Sequence, residues 1–286
     1  MIPYTKLSSQ GNDFILVELK DLQKPIPREK IIQYSDRNNI GCDQFFVINT
    51  FDHNNVVCNV YNSDGSEACQ CGNGLRATML FLNKKYGVTY SNLEVCGKKY
   101  MSSINDNKIS ISMGTSQTIS LPNNLSSIFE IRKDGIGYQL FSEQMMMEFS
   151  FVPLSIGNQH CVVFLGDTNM PQDMICSIID SIFYDKMNIG FIQNKLSEFM
   201  KNTDMLIRLT VRERGAGYTK SCGSGATAAA ICLFRLYEIN NENKIPSSKI
   251  RILQEGGELV VEKKYNPDDF ILIGPSSIIS NGILDE

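Results

Sequence analysis

A four-residue device occurs twice in this chain, about half a chain length apart. Cys71-Gly72-Asn73-Gly74 leads into one apolar run, and Cys222-Gly223-Ser224-Gly225 leads into another. Each copy reads as a thiol, a glycine-rich turn and the start of a helix. Two copies at that spacing predict two halves built alike, each with one helix led by a thiol. The repetition also bears on chemistry. Moving a proton from one face of a carbon to the other needs one acid–base group on each side, and this chain carries the same group twice.

The bulk properties set the frame for such an enzyme. A length of 286 residues allows one large domain or two of moderate size, and 42% hydrophobic residues suffice for an ordinary globular core. The net charge is −4 and no Lys/Arg cluster appears, so a nucleic-acid partner is not expected. The opening MIPYTKLSSQGNDF has no charged head followed by an apolar run, so no secretory signal is expected. No stretch approaches the ~18 apolar residues of a membrane span. A cytoplasmic protein follows as the expectation. In that compartment the nine cysteines are expected to be reduced thiols, mostly filling the core. Metal-ligand spacing is poor. Cys69-Gln70-Cys71 is the one close pair, no Cys-x-x-Cys joins it, and the two histidines, His53 in a polar turn and His160, lie far apart.

Most apolar segments read as strands: 14–17, 45–48, 56–61 and 108–113 in the first half, and 161–165, 206–211, 249–253, 259–262 and 270–273 in the second. Asn123-Asn124, Asp134-Gly135 and Asn266-Pro267 read as turns. Helices are predicted over 73–85 and 224–239. The second is apolar nearly all round at its start, which predicts burial on every side. Further helices are predicted over 27–36 and 174–183. The polar stretch 116–127 is the best boundary. The fold class is α/β (α+β), with two β-rich halves, each wrapped around a central helix.

A helix N-terminus carries roughly +0.5 of a charge and exposes unpaired N–H groups. A thiol there is stabilised as thiolate. The same N–H groups form an anion site, so one substrate carboxylate fits between 72–74 and 223–225. The neighbouring carbon then faces Cys71 on one side and Cys222 on the other. Charge that spreads into the carboxylate on proton removal is stabilised where it develops. This scheme needs neither metal nor pyridoxal cofactor.

Six blocks then carry a resemblance. They are Gly11-Asn12-Asp13-Phe14; Gly41 with Asp43-Gln44; Tyr61-Asn62-Ser63-Asp64-Gly65-Ser66-Glu67 into Gln70-Cys71-Gly72-Asn73-Gly74; Gly157-Asn158 with His160-Cys161-Val162-Val163; Asn188 with Gly190-Phe191; and Arg212-Glu213-Arg214-Gly215-Ala216-Gly217 into Cys222-Gly223-Ser224-Gly225. Their order and content closely resemble the diaminopimelate epimerase family. The resemblance implies a pyridoxal-independent isomerase that interconverts LL- and meso-diaminopimelate, on the route to lysine and cell-wall peptide. It implies two similar domains related by a pseudo-twofold, with the active site in the cleft between them. The expected domains are 1–118, with 268–286 returning to it, and 119–267. A homodimer is expected by resemblance alone.

Carried over residue by residue, Cys71 and Cys222 become the acid–base thiols, with His160 and Glu213 as helpers that the resemblance does not divide between them. Asn12, Gln44, Asn62, Asn158, Asn188, Glu213 and Arg214 become substrate contacts, beside the anion-binding Gly72, Asn73, Gly223 and Ser224. Arg214 offers a planar fork for the distal carboxylate of the substrate. A substrate without that end would leave buried polar groups unpaired. The sequence departs from the family at Gln159, where proline is usual, at Cys42, where an aromatic is usual, and at Tyr218, which replaces a glutamate and is expected close to Cys222. Two other readings stand beside this one: a related racemase or epimerase for another amino acid, and a thiol redox or metal-binding protein using Cys69 and Cys71.

Overall fold

The computed structural model describes residues 1–285 except 23, 53, 70, 123–129, 143–145, 185, 200–204, 241–246 and 266–267. The turns read at Asn123-Asn124 and Asn266-Pro267, His53 of the polar turn, and Gln70 of the Cys69-Gln70-Cys71 pair lie outside the described residues. The chain divides into two compact units, Met1–Ser112 with Ile271–Glu286, and Met113–Phe270.

The first unit opens with an antiparallel hairpin, β1 (Ile2–Ser9) and β2 (Asn12–Glu18). Its two-residue loop, Gln10 and Gly11, has φ of 55° and 87°. A type I′ turn needs positive φ at both positions, and glycine supplies one without strain. Helix α1 (Arg28–Ser35) then carries the chain to β3 (Gln44–Asp52), parallel to β2, and β4 (Asn55–Asn62) runs back antiparallel to β3. Helix α2 (Gly72–Tyr86) follows. Strand β5 (Tyr90–Val95) returns parallel to β4, and β6 (Lys98–Asn105) and β7 (Lys108–Ser112) continue as an antiparallel meander.

The second unit begins with β8 (Gln117–Thr118), β9 (Glu130–Asp134) and β10 (Gly137–Ser142) and then repeats the plan of the first. Strands β11 (Met147–Ser155) and β12 (Gln159–Phe164) form an antiparallel pair. Helix α3 (Gln172–Phe183) leads to β13 (Asn188–Ile192), parallel to β12. After the short α4 (Leu196–Phe199), β14 (Leu206–Glu213) runs antiparallel to β13 and turns back through β15 (Gly217–Thr219). Helix α5 (Gly223–Asn240) follows. Strand β16 (Lys249–Gln254) returns parallel to β14 and pairs with β17 (Gly257–Tyr265). Each unit thus runs hairpin, crossover helix, parallel strand, antiparallel strand, thiol-led helix, parallel strand, hairpin. The last strands, β18 (Asp268–Gly274) and β19 (Ser277–Leu284), add to the first unit, where β18 pairs with β7 and β19 with β1.

The two thiol-led helices are the cores of their units. In α2 every residue from Gly72 to Leu82 is buried, and in α5 every residue from Gly223 to Phe234 is. Small side chains from Ala226 to Ala230 let surrounding strands approach α5 closely, while Leu233 and Phe234, both 0% exposed, fill the space beyond. Burying such a large apolar side chain contributes about 1.5–3 kcal/mol. A substitution such as Ala229→Leu would overpack this helix and cost about 1–3 kcal/mol.

One expectation about the cysteines fails. Cys69 and Cys96 form a disulfide, with their Cα atoms 5.3 Å apart. Both are exposed, so neither is core filler. The bond ties the turn between β5 and β6 to the segment just before Cys71. The other seven are free thiols, and Cys42, Cys58, Cys161, Cys176 and Cys232 are buried as packing residues. No described helix is long and apolar enough to cross a membrane.

Candidate active site

The two thiols cap their helices in the same way. Cys71 has extended backbone (φ −154°, ψ 90°), and its Sγ accepts the Gly74 N–H at 3.2 Å while its carbonyl accepts the Leu75 N–H at 2.9 Å. Cys222 Sγ accepts the Gly225 N–H at 3.4 Å, and its carbonyl accepts the Ala226 N–H at 2.9 Å. Sulfur takes the place that a serine or aspartate oxygen holds in an ordinary N-cap. The third residue must be glycine. A Cβ on Gly74 would sit 2.6 Å from Phe46 Cε2 and 3.2 Å from Cys71 Sγ. One on Gly225 would sit 2.9 Å from Val211 Cγ2 and 3.3 Å from Cys222 Sγ.

In the first unit the hairpin turn delivers Asn12 to the head of α2. Asn73 Nδ2 donates to Asn12 Oδ1 at 2.6 Å, and Asn12 Nδ2 donates to Asp43 Oδ2 at 3.1 Å. Asp43 is held by Arg37, whose Nη2 lies 2.5 Å from Asp43 Oδ1. Gln44 and Asn62 face each other across β3 and β4, with Gln44 Nε2 donating to Asn62 Oδ1 at 3.1 Å. Asn62 in turn donates to Ser66 Oγ at 3.0 Å. The first unit thus brings Cys71, Gly72, Asn73, Asn12, Gln44 and Asn62 to one end of its sheet, polar groups already oriented by one another.

In the second unit both helpers lie by Cys222. Glu213 ends β14 with its carboxylate beside the Cys222 thiol, and Thr219 Oγ1 donates to Glu213 Oε1 at 2.6 Å. His160 reaches the thiol through Ser224. Its Nε2 lies 3.0 Å from Ser224 Oγ, and Ser224 Oγ lies 3.5 Å from Cys222 Sγ. The same Nε2 is 3.0 Å from Asn158 Oδ1, an oxygen that only accepts. Nε2 therefore carries the proton, and Nδ1 is left as a lone pair without a partner among the described residues. Asn158 Nδ2 donates to Ser224 Oγ at 3.2 Å, which frees the serine proton for the sulfur. Burial pushes the His160 pKa down to about 3, so the ring is a neutral donor at any working pH. Asn188 donates to the Gln159 carbonyl at 3.1 Å and accepts the Arg214 backbone N–H at 2.9 Å.

Three expectations change here. Burial, and then the Glu213 carboxylate, push the Cys222 thiol well above its ordinary value, and the bonds from Ser224 and Gly225 do not offset them. At this copy desolvation outweighs the helix terminus, so the group is a thiol. The Arg214 side chain is exposed, and Asn62, Asn158 and Asn188 are half-buried, rather than the buried set expected for a distal subsite. Tyr218 does not approach Cys222. Its hydroxyl donates to Asp173 at 3.2 Å and lies 3.9 Å from Cys176, on the α3 side of the sheet.

Sequence reasoning missed Gln254. Its Oε1 accepts from the Cys222 backbone N–H at 3.2 Å and from Ser221 Oγ at 3.0 Å, fixing the peptide before the thiol. It arrives from the end of β16, far along the chain, with no local signal. Thr219, which orients Glu213, lies two residues past the Arg212–Gly217 block. Among the described residues, no group of three His, Cys, Asp or Glu side chains is placed to hold a metal ion.

Solved structures share this fold. A PhzF-family phenazine biosynthesis protein from Bacillus anthracis superposes with a TM-score of 0.67 at 14% identity, over 99% of both chains. A hydroxyproline epimerase from Agrobacterium vitis gives 0.63 at 9% identity, over 98% of this chain and 90% of that one. These define the fold class, a two-domain α+β architecture found in epimerases. The sequence goes further. The profile of diaminopimelate epimerase matches residues 4–119 and 152–278. The diaminopimelate epimerase of Blochmanniella floridana is 30% identical over 99% of both chains, and that of Legionella pneumophila strain Corby 29% over 99% of both. The chain belongs to the diaminopimelate epimerase family.

Proposed function

We propose that this chain is an isomerase that inverts one centre of LL-diaminopimelate to give the meso form, and the reverse, using Cys71 and Cys222 as its two acid–base groups. The observation that carries the reading is the matched capping geometry: each sulfur accepts a helix N–H at the head of a buried helix, in a chain of this family. The N–H groups at the two helix heads, 72–74 and 223–225, take the substrate α-carboxylate. One sulfur removes the α-proton as thiolate. The other, still a thiol, delivers a proton to the opposite face. The helix N–H groups stabilise the charge that spreads into the carboxylate. Such acid–base help is typically worth about 10²–10⁴-fold.

The remaining residues take roles that fit their chemistry. Glu213 and the His160–Ser224 relay serve Cys222. Arg214, exposed and without a hydrogen bond or ion pair from its side chain among the described residues, is available to the distal carboxylate. Asn12, Asn62, Asn158 and Asn188 pair with the polar ends of the substrate, and Gln44 orients Asn62. The product feeds lysine and peptidoglycan precursor synthesis, and the enzyme works as a cytoplasmic homodimer. The runner-up is an epimerase for a single-ended amino acid, the kind of substrate named for the Agrobacterium neighbour. That reading leaves Arg214 without a task. Incubation of each candidate amino acid in D₂O separates the two: diaminopimelate should gain α-deuterium and invert, lysine and alanine should not. Comparable turnover of lysine overturns the assignment.

A further inference from the structure

Arg76 is fully buried, one turn into α2. Arginine is almost never so placed unless paired. Its Nη2 donates to Asn73 Oδ1 at 2.9 Å, but its Nε and Nη1 have no partner among the described residues. A buried cation with idle donors is costly. The charged groups on the elements packed against α2 do not answer it. On β1 and β2, Asp13 is held by Lys6 and Arg37, and Glu18 is held by Lys85 and Lys20. On β6 and β7, Lys98, Lys99 and Lys108 are exposed, and the buried Tyr100 phenol is pushed towards its neutral form. Strand β19 carries no charge. Burial pulls the Arg76 pKa down to about 10, and Cys71, the N-cap residue one turn before it, acts against that pull.

We propose that Arg76 is the positioning residue of the Cys71 half of the site: its buried guanidinium favours Cys71 as thiolate and, through Asn73, fixes Asn12. The inference rests on the reading of Cys71 as one of two acid–base thiols. The equivalent position after Cys222 is Thr227, whose hydroxyl donates to the Gly223 carbonyl at 2.9 Å. There the nearby charge is the Glu213 carboxylate instead. A cation stands by one thiol and an anion by the other, so Cys71 ionises first and rests as the base, while Cys222 rests as the acid.

The test is iodoacetamide alkylation followed peptide by peptide across pH, in the intact protein and in Arg76→Met and Arg76→Lys. In the wild type the Cys71 midpoint should lie below that of Cys222. In Arg76→Met it should rise by at least one pH unit while the Cys222 midpoint stays, and Arg76→Lys, which keeps the charge, should recover most of the shift. A structural role alone would move neither midpoint selectively. An unchanged Cys71 midpoint in folded Arg76→Met, or an equal rise at both thiols, overturns the proposal. Should neither variant fold, the wild-type order decides, and Cys222 ionising before Cys71 overturns it. Failure of the two-thiol reading looks different: Cys71→Ala would then still invert substrate, whatever the alkylation profile.

Discussion

Acid should destabilise this protein through His160 before it touches the carboxylates. The ring is fully buried, and its pKa falls from 6.5 to about 3 because burial disfavours the cation. In the unfolded chain the ring takes a proton below its ordinary value, while the folded ring stays neutral. Stability is therefore full above pH ~6.5 and falls as the pH drops towards 3. At pH 5 the unfolded state gains RT ln(1 + 10^1.5), about 2 kcal/mol, and the folded state gains almost nothing. The figure hardly changes for any folded value below about 4. Asp13 and Glu18, lowered in the fold by their Lys and Arg partners against the pull of burial, add losses only below their own unfolded values of 3.8 and 4.5. Urea unfolding followed by far-ultraviolet circular dichroism, at pH 7.5 and 5.0, reads the effect in wild type and in His160→Gln. The wild type should lose about 2 kcal/mol more than the variant over that interval. Equal pH dependence in the two proteins would show that the fold accommodates the imidazolium, and the neutral-donor role of His160 would be wrong.

Other expectations follow from single contacts. Gly74→Ala drives a methyl into the Phe46 ring, itself 1% exposed and packed edge-on to Phe14, so it should cost about 1–3 kcal/mol and most activity; Gly225→Ala meets the Val211 methyls and the Cys222 sulfur less closely and should cost less in thermal melts. Arg214→Lys should leave the melting temperature unchanged, since the side chain is exposed, yet lower kcat/KM at least about tenfold, because an ammonium cannot reproduce the planar fork. Non-reducing peptide mapping should recover Cys69 linked to Cys96, and Cys69→Ser should lower stability by roughly 2–4 kcal/mol; free alkylation of both in the unreduced protein would disprove the bond.

The sequence carried the thiol-led helices because burial on all sides writes an unbroken apolar run, and α2 and α5 begin and end within a residue of the expected ranges. Strands rich in β-branched residues were equally plain. Strand β6 was not, because a polar residue sits in its core-facing series: Ser102 is buried, with its hydroxyl donating to the Ser91 carbonyl at 2.7 Å. Strand β19 is exposed along most of its length, so no hydrophobic alternation marks it. The site was readable where the chemistry is local, at Cys71 and Cys222. It was unreadable where a strand decides direction. Tyr218 and Thr219 are neighbours on β15, and successive side chains on a strand point to opposite faces. Thr219 thus reaches Glu213 while Tyr218 reaches Asp173. Gln254 and the Cys69–Cys96 bond depend on tertiary placement that no local pattern encodes.

The central claim is that two sulfurs act on opposite faces of one carbon, so neither can replace the other. The direct measurement is inversion of diaminopimelate by Cys71→Ala and by Cys222→Ala, each shown to be folded and assayed with a reductant, with the buried packing residue Cys232 changed to alanine as control. Each site variant should lose nearly all inversion, and the control should keep most of it. A well-folded Cys222→Ala protein that inverts its substrate at close to the wild-type rate would contradict the account and leave the doubled motif as a trace of duplication.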